Sequence, residues 1–219
     1  MKKVLLSAAF ALSLVGALAP TVLVTAESSS SSSSASSEAT SSSSAESSSK
    51  KKSHSEADKA NWGKRSTPVP LGEEKEVKYK AYLRSEKAEV TVKLSVQEVL
   101  KGKEAEAKLV EFQSFNKEYI NKLDSKYEYN VIKLKLVYEK GDEDNAYKTP
   151  YAPKVFDAKG KEVKADGFIS IPHEKEFSNV ELYPGSEHEG YVAVVVPKDG
   201  DYAISFDLGK PVFFSTTKE

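Results

Sequence analysis

The dominant pattern of hydrophobic and polar positions in the second part of the chain is an alternation of period two. Residues 76–83, 89–100 and 127–139 each alternate apolar with polar side chains. This alternation is typical of strands buried on one face. Three further apolar runs near the C-terminus predict strands at residues 190–197, 201–208 and 211–216.

One segment has a helical period instead. Residues 103–123 are rich in helix-forming residues, and Ala105, Leu109 and Phe112 recur at spacings of four and three. This spacing predicts one short helix that covers an end of the sheets. Many strands with a single inserted helix indicate an all-β fold, an antiparallel β-sandwich.

The N-terminus has the features of a secretory signal peptide. Lys2 and Lys3 precede an apolar stretch, and Val24-Thr25-Ala26 provides the small residues of a cleavage site, so residues 1–26 are predicted to be removed. An uncleaved membrane anchor is the alternative, because the apolar stretch is about 20 residues long. The chain contains no cysteine, which excludes disulfides and attachment of a lipid to cysteine.

Residues 27–60 are predicted to be a disordered linker. Between residues 28 and 55, 18 of the 28 residues are serine, and no apolar side chain larger than alanine occurs. Such a segment buries too little surface to offset its ordering entropy. The folded domain is therefore predicted to span residues 61–219, where 26 basic side chains balance 28 acidic ones and provide no electrostatic footprint for nucleic acid.

The residues needed for common catalytic sites are missing or badly spaced. The chain has three histidines, His54, His173 and His188, without the spacing of a zinc site, and it has no Gly-x-Ser-x-Gly motif. Residues 185–190 (GSEHEG) combine a histidine with two glutamates, but Pro184-Gly185 favours a turn leading into a hairpin, with His188 facing solvent. We therefore expect a protein that is not an enzyme.

Two candidate sites lie between residues 138 and 160. Asp142, Glu143, Asp144 and Asn145 offer clustered oxygen ligands for Ca²⁺, but they lack the spacing of an EF-hand loop, so an acidic hairpin tip is the simpler explanation, and no other cofactor is indicated. The second candidate is an aromatic edge that could bind sugars or peptides. Its residues are Tyr147, Tyr151 and Phe156, and the alternative is that they belong to the core beside a hairpin.

Three blocks of the sequence resemble a known family. Residues 66–77 (STPVPLGEEKEV), 115–138 and 181–206 are similar, in that order, to the opening, middle and closing blocks of an uncharacterised bacterial extracellular family. That family has an immunoglobulin-like, telokin-like β-sandwich and is related in fold to a secreted immunogenic antigen of mycobacteria. The resemblance implies the same sandwich here and supplies no catalytic residues. This chain departs from the family at Gly190-Tyr191 and lacks its common lipid-modified cysteine.

Together these observations predict a secreted or envelope-associated, noncatalytic binding module. Its partner would be an unknown protein or an envelope polymer, and it would contact a membrane only if the signal stays uncleaved. Three alternatives remain: a Ca²⁺-stabilised adhesion module, an inhibitor of a secreted hydrolase, and a structural envelope spacer.

Overall fold

The strands and helices follow the polarity pattern closely. The computed structural model describes residues 55–84, 86–198 and 200–218, so the predicted signal peptide and the linker up to residue 54 lie outside the described residues. The strands are β1 (Glu74–Leu83), β2 (Glu86–Leu100), β3 (Tyr127–Lys140), β4 (Tyr147–Lys148), β5 (Lys154–Asp157), β6 (Glu181–Leu182), β7 (Ser186–Pro197), β8 (Tyr202–Asp207) and β9 (Pro211–Ser215). The α-helices are α1 (Glu56–Asn61), α2 (Gly102–Phe112) and α3 (Asn116–Lys122), and His173–Lys175 forms a 3₁₀ turn.

Antiparallel pairing joins these strands into three sheets. The largest has the order β1-β2-β3-β7, the second has the order β5-β8-β9, and β4 pairs with β6 in a two-stranded ribbon. The three strands predicted from alternation and the three predicted from apolar runs are all confirmed. The short strands β4, β5 and β6 were not predicted.

The two larger sheets share one hydrophobic core. Val92 and Leu94 of β2 and Leu134 of β3 lie in the same buried cluster as Ile204 of β8 and Phe214 of β9, all with no exposed surface. Each such side chain contributes about 1.5–3 kcal/mol through burial. The predicted antiparallel all-β sandwich is therefore confirmed, with its core between the two sheets.

The opposite face of the four-stranded sheet carries a second, smaller core. Ala105, Leu109 and Phe112 of α2 pack on Tyr129 and Val131 of β3, as their spacing predicted. The prediction of a single helix over residues 103–123 was wrong, because α2 ends at Phe112 and α3 begins only at Asn116.

The start of the folded part differs from the prediction. Ser55 caps helix α1 through a reciprocal pair of hydrogen bonds with Asp58, so residues 56–60 are helical rather than linker. The Lys75 ammonium donates to the Lys59 carbonyl at 2.9 Å, and Trp62 packs half-buried against the main core. Regular structure therefore begins before residue 61, although the first strand of the sandwich begins at Glu74.

Neighbouring segments cover three of the four edges of the two larger sheets. Backbone hydrogen bonds join Val69 to the outer edge of β9, Val163 to β5 and Phe177 to β7, at 2.8–3.0 Å. In the described part of the chain, β1 pairs with β2 on one side and has no strand on the other. The edge of β1 is thus the open edge of the large sheet.

Candidate functional site

The outer face of the three-stranded sheet has an unusual distribution of side chains. Tyr202, Ile204 and Phe206 of the central strand β8 point into the core and are buried. The alternate residues of β8 are Ala203, Ser205 and Asp207, which face away from the core because successive side chains of a strand point to opposite faces. All three side chains are small or short. The side chains in the middle of this outer face are therefore short.

Aromatic residues lie on both sides of β8, the strand with these short outward side chains. Phe156 of β5 pairs with Ala203, and Phe213 of β9 pairs with Ser205. The two phenyl rings meet over the small side chains, with their centroids 5.4 Å apart and their planes inclined by 51°. Both phenylalanines are half-buried, although outward positions of a sandwich are usually polar.

The rings form one wall of a groove, which we call the aromatic groove. It encloses about 380 Å³ and is lined mainly by Pro150, Tyr151, Phe156, Asp207, Pro211 and Phe213. Tyr151 belongs to the segment between β4 and β5, and 74% of its surface is exposed. An exposed tyrosine that lines the same groove as two phenylalanines and two prolines offers a large rigid apolar contact at low entropic cost.

The polar groups of the groove are few and lie at its margins. Lys154 of β5 and Asp207 of β8 contribute one positive and one negative side chain, and both are exposed. Apolar walls with a small number of polar groups are typical of sites that bind by contact area and orient the ligand by hydrogen bonds. The groove contains no pairing of a nucleophile with a base.

The structure brings together only two of the three residues of the predicted aromatic edge. Tyr151 and Phe156 lie together in the groove, but Tyr147 does not, because it is 3% exposed and belongs to the main core. Phe213 and Pro211 were missed by the sequence analysis. The adjacent pair Phe213-Phe214 contained the signal, since neighbouring residues of a strand face opposite sides and one of the two had to face outward.

The acidic segment forms a local turn. Asp142 Oδ1 accepts hydrogen bonds from the backbone N–H groups of Asp144 and Asn145, each at 2.8 Å, and these bonds lower the pKa of Asp142. Glu143 and Asp144 are exposed. Across residues 55–84, 86–198 and 200–218, no group of three or more His, Cys, Asp or Glu side chains is arranged to hold a metal ion.

The GSEHEG segment belongs to a strand rather than to a hairpin turn. The predicted turn at Pro184-Gly185 is present, with Ser186 N–H donating to the Tyr183 carbonyl at 3.1 Å, but residues 186–190 are already part of β7. His188 does not face solvent freely. Its Nε2 lies 2.9 Å from the Glu176 carbonyl oxygen, and its ring stacks on Phe177 at 6.0 Å, so this histidine has a packing role.

A larger cavity of about 630 Å³ lies near residues 157–164. Its walls include Asp157, Lys161, Glu162 and Lys164, and Tyr127 is the aromatic residue among the residues lining it. Charged side chains in a turn are well solvated and gain little from holding a ligand. We therefore regard the aromatic groove as the better candidate site despite its smaller volume.

Comparisons with known proteins do not identify a family. No family model matches the chain, and no curated protein matches it. A conserved hypothetical protein from Bacillus anthracis, solved at 2.2 Å, is 12% identical, with a TM-score of 0.29 over 65% of this chain and 97% of that one. The resemblance to the telokin-like family accordingly stays a prediction.

A membrane-spanning helix needs sufficient length and apolar character. None of the helices formed by the residues that the structure describes is long and apolar enough to cross a membrane. The apolar stretch of the predicted signal lies outside those residues.

Proposed function

We propose that this protein is a secreted or envelope-associated, noncatalytic binding module whose ligand, part of a protein or of an envelope polymer, occupies the aromatic groove. The main support is the groove itself, where half-buried Phe156 and Phe213 occupy the outer face of a sheet and exposed Tyr151 lines the same groove. Aromatic side chains on an outer face lower solubility. A binding role explains why they are present there.

The absence of a recognisable catalytic set in the sequence supports the noncatalytic part of the proposal. The described histidines are accounted for by other roles, since His188 contacts a backbone carbonyl and His173 begins the 3₁₀ turn. Fold alone does not fix function, so the proposal depends on the groove.

Binding is tested with the purified protein immobilised against cell-wall and membrane extracts of the producing bacterium and against host secretions. The informative variants are Tyr151→Ala, Phe156→Ala and Phe213→Ala. Each should reduce capture of a specific component by about tenfold or more, as expected for aromatic anchors. Tyr183→Ala is the matched control, because Tyr183 is 48% exposed and does not line the groove.

The readout separates binding from folding. Tyr151 is largely exposed, so Tyr151→Ala should leave the melting temperature unchanged while capture falls. Equal capture by the groove variants and the wild type would place the ligand elsewhere. Turnover of an extract component that followed the purified protein would overturn the noncatalytic assignment.

Export is tested separately on the protein collected from the culture medium. Cleavage after Ala26 predicts a mature chain that begins at Glu27. N-terminal sequencing of that protein would show this start directly. An intact N-terminus retained with the membrane would support the anchored alternative.

A further inference from the structure

The open edge of β1 is independent of the aromatic groove. In the described part of the chain β1 pairs only with β2, from Glu74 opposite Ser95 to Leu83 opposite Glu86. The other three edges of the two large sheets are covered by the segments around Val69, Val163 and Phe177. An edge strand of this length displays backbone N–H and C=O groups that can pair with another strand.

The side chains of β1 carry an ordered sequence of charges on one face. Val77, Ala81 and Leu83 point into the core, whereas Glu74, Glu76, Lys78 and Lys80 are exposed on the outer face. Two acidic residues are thus followed by two basic residues along that face. The order reverses when the strand is read in the opposite direction, as it is in an antiparallel partner.

Self-pairing of this charge order has one favourable register. When Val77 lies opposite Val77 of a second copy, Glu74 faces Lys80 and Glu76 faces Lys78, each twice because of the two-fold symmetry. A shift that centres the pair on Glu76 or Lys78 brings two like charges together. A shift that centres it on Tyr79 places Lys78 opposite Lys80. Opposite charges that face each other across strands stabilise the pair, and like charges destabilise it.

We propose that two copies of this chain pair antiparallel through β1, with Val77 at the two-fold axis, so that the two four-stranded sheets become one continuous eight-stranded sheet. Backbone hydrogen bonds provide the attraction, as in other cases where a strand is added to a sheet edge. The ion pairs select the register and the identity of the partner. A chain with a different charge order would not fit.

The expected dimer is weak and sensitive to salt. The paired span from Glu74 to Lys80 is short, and its ion pairs are exposed, where each is worth less than about 1 kcal/mol. Salt screens such pairs over about 8–10 Å at ordinary ionic strength. The dimer should therefore form at high protein concentration and dissociate as salt is added.

Sedimentation velocity of the purified full chain over a wide concentration range tests the association. Glu76→Lys and Lys78→Glu each place like charges together twice, so each should weaken dimerisation by about tenfold or more. The double swap Glu76→Lys with Lys78→Glu restores opposite charges and should recover the wild-type constant to within about threefold. Lys159→Glu, an exposed charge outside β1, is the control with the same change in net charge as Lys78→Glu.

Disulfide cross-linking tests the register directly. The chain has no cysteine of its own, so any disulfide must join the introduced cysteines. Side chains directly opposite in an antiparallel pair have Cβ atoms about 4.5–5.5 Å apart, close enough for a disulfide after a small adjustment. Mixing Glu76→Cys with Lys78→Cys protein should give the mixed dimer in excess over either homodimer. Glu89→Cys on the interior strand β2 is the control and should not cross-link with Lys78→Cys.

The outcomes are distinct from those of the groove experiment. A dimer that is lost in both single reversals and recovered in the swap supports the proposal whether or not a ligand is captured. A protein that stays monomeric at near-millimolar concentration, or a dimer that ignores the charge reversals, overturns it.

Discussion

The phenol oxygens of Tyr79 on β1 and Tyr147 on β4 lie 3.0 Å apart and share one hydrogen bond. Tyr147 is 3% exposed and its ring packs 5.1 Å from that of Tyr138, whereas Tyr79 is half-buried. The bond therefore satisfies a hydroxyl in the core with one nearer the surface. It joins the edge of the large sheet to the β4-β6 ribbon.

This relationship predicts unequal costs for the two phenylalanine substitutions. Tyr79→Phe leaves the buried Tyr147 hydroxyl without its partner and should lower the free energy of unfolding by about 1–3 kcal/mol. Tyr147→Phe leaves the hydroxyl of Tyr79 unpaired, but Tyr79 is only half-buried, so the cost should be smaller, about 0.5–1.5 kcal/mol. The double variant should cost less than the sum, and urea unfolding of all four proteins measures the difference. Strict additivity would show that the two hydroxyls are not coupled.

Buried tyrosines also predict a loss of stability in alkali. Burial raises the pKa values of Tyr79, Tyr147 and Tyr202 above the usual value for tyrosine. A group whose pKa is higher in the folded state contributes its full stability below the pKa of the unfolded chain, about 10, and loses it as pH rises further. The urea midpoint should therefore be constant up to about pH 9 and fall above pH 10. A midpoint that stays constant to about pH 11 would contradict this assignment.

The long strands were predictable because their alternation extends over many residues. In β2 and β3 the apolar residues recur at every second position, and a sheet with one buried face requires this spacing. Strands of two residues, such as β4 and β6, are too short to show a period. Their position depends on contacts with distant segments, such as the one between Tyr147 and Tyr79.

The aromatic groove was only half predictable for the same reason. Tyr147 and Tyr151 are both aromatic residues near prolines, and nothing local distinguishes the buried one from the exposed one. Phe156 and Phe213 are distant in sequence and meet only because β5 and β9 flank β8. A pair of adjacent phenylalanines, Phe213-Phe214, was the local signal for an outward aromatic residue.

Asn116 lies just after the break in the predicted single helix, and its hydrogen bonds predict a large effect of substitution. Its buried amide donates to the carbonyls of Leu109 and Ser170, both at 2.8 Å, and accepts from the Ser170 N–H at 3.0 Å. Asn116→Ala leaves these backbone groups without a side-chain partner and should cost about 2–4 kcal/mol in urea unfolding.

Two variants make the Asn116 prediction specific. Asn116→Asp keeps the shape and the acceptor but directs a carboxylate at two carbonyls, so it should destabilise at least as much as Asn116→Ala. Asn61→Ala removes an exposed amide that donates to the Ala57 carbonyl, and it should change stability by less than about 0.5 kcal/mol. Similar small losses in all three variants would contradict the role of Asn116 as a link between α2 and residue 170.

Gly190 predicts a steric effect in the middle of β7. A Cβ atom at this position would lie 2.6 Å from the backbone nitrogen of Phe177 and 2.7 Å from its Cα. Because backbone atoms cannot rotate away, Gly190→Ala must displace the Phe177 segment, which a 3.0 Å hydrogen bond holds to Tyr191. We expect a loss of about 1–3 kcal/mol, and a larger one if the hydrogen bond breaks.

Gly185→Ala provides the comparison for Gly190. Gly185 has a φ of +83° and open space around its Cβ position, so the alanine variant reports the conformational penalty alone, about 1 kcal/mol. In thermal unfolding, the melting temperature of Gly190→Ala should be lower than that of Gly185→Ala. The reverse order would indicate that the close approach at Phe177 relaxes without cost.

The turn at Asp142 predicts that the acidic segment does not depend on calcium. Its Oδ1 atom accepts three hydrogen bonds from Asp144 and Asn145, which lower its pKa, so its stabilising effect is present above about pH 4 and is lost as pH falls below that value. The melting temperature should be the same with calcium and with chelator. Asp142→Ala should lower it slightly and Asp142→Asn less, since the amide oxygen keeps the acceptor. A chelator effect that disappears in Asp142→Ala would instead establish the cation site that the sequence allowed.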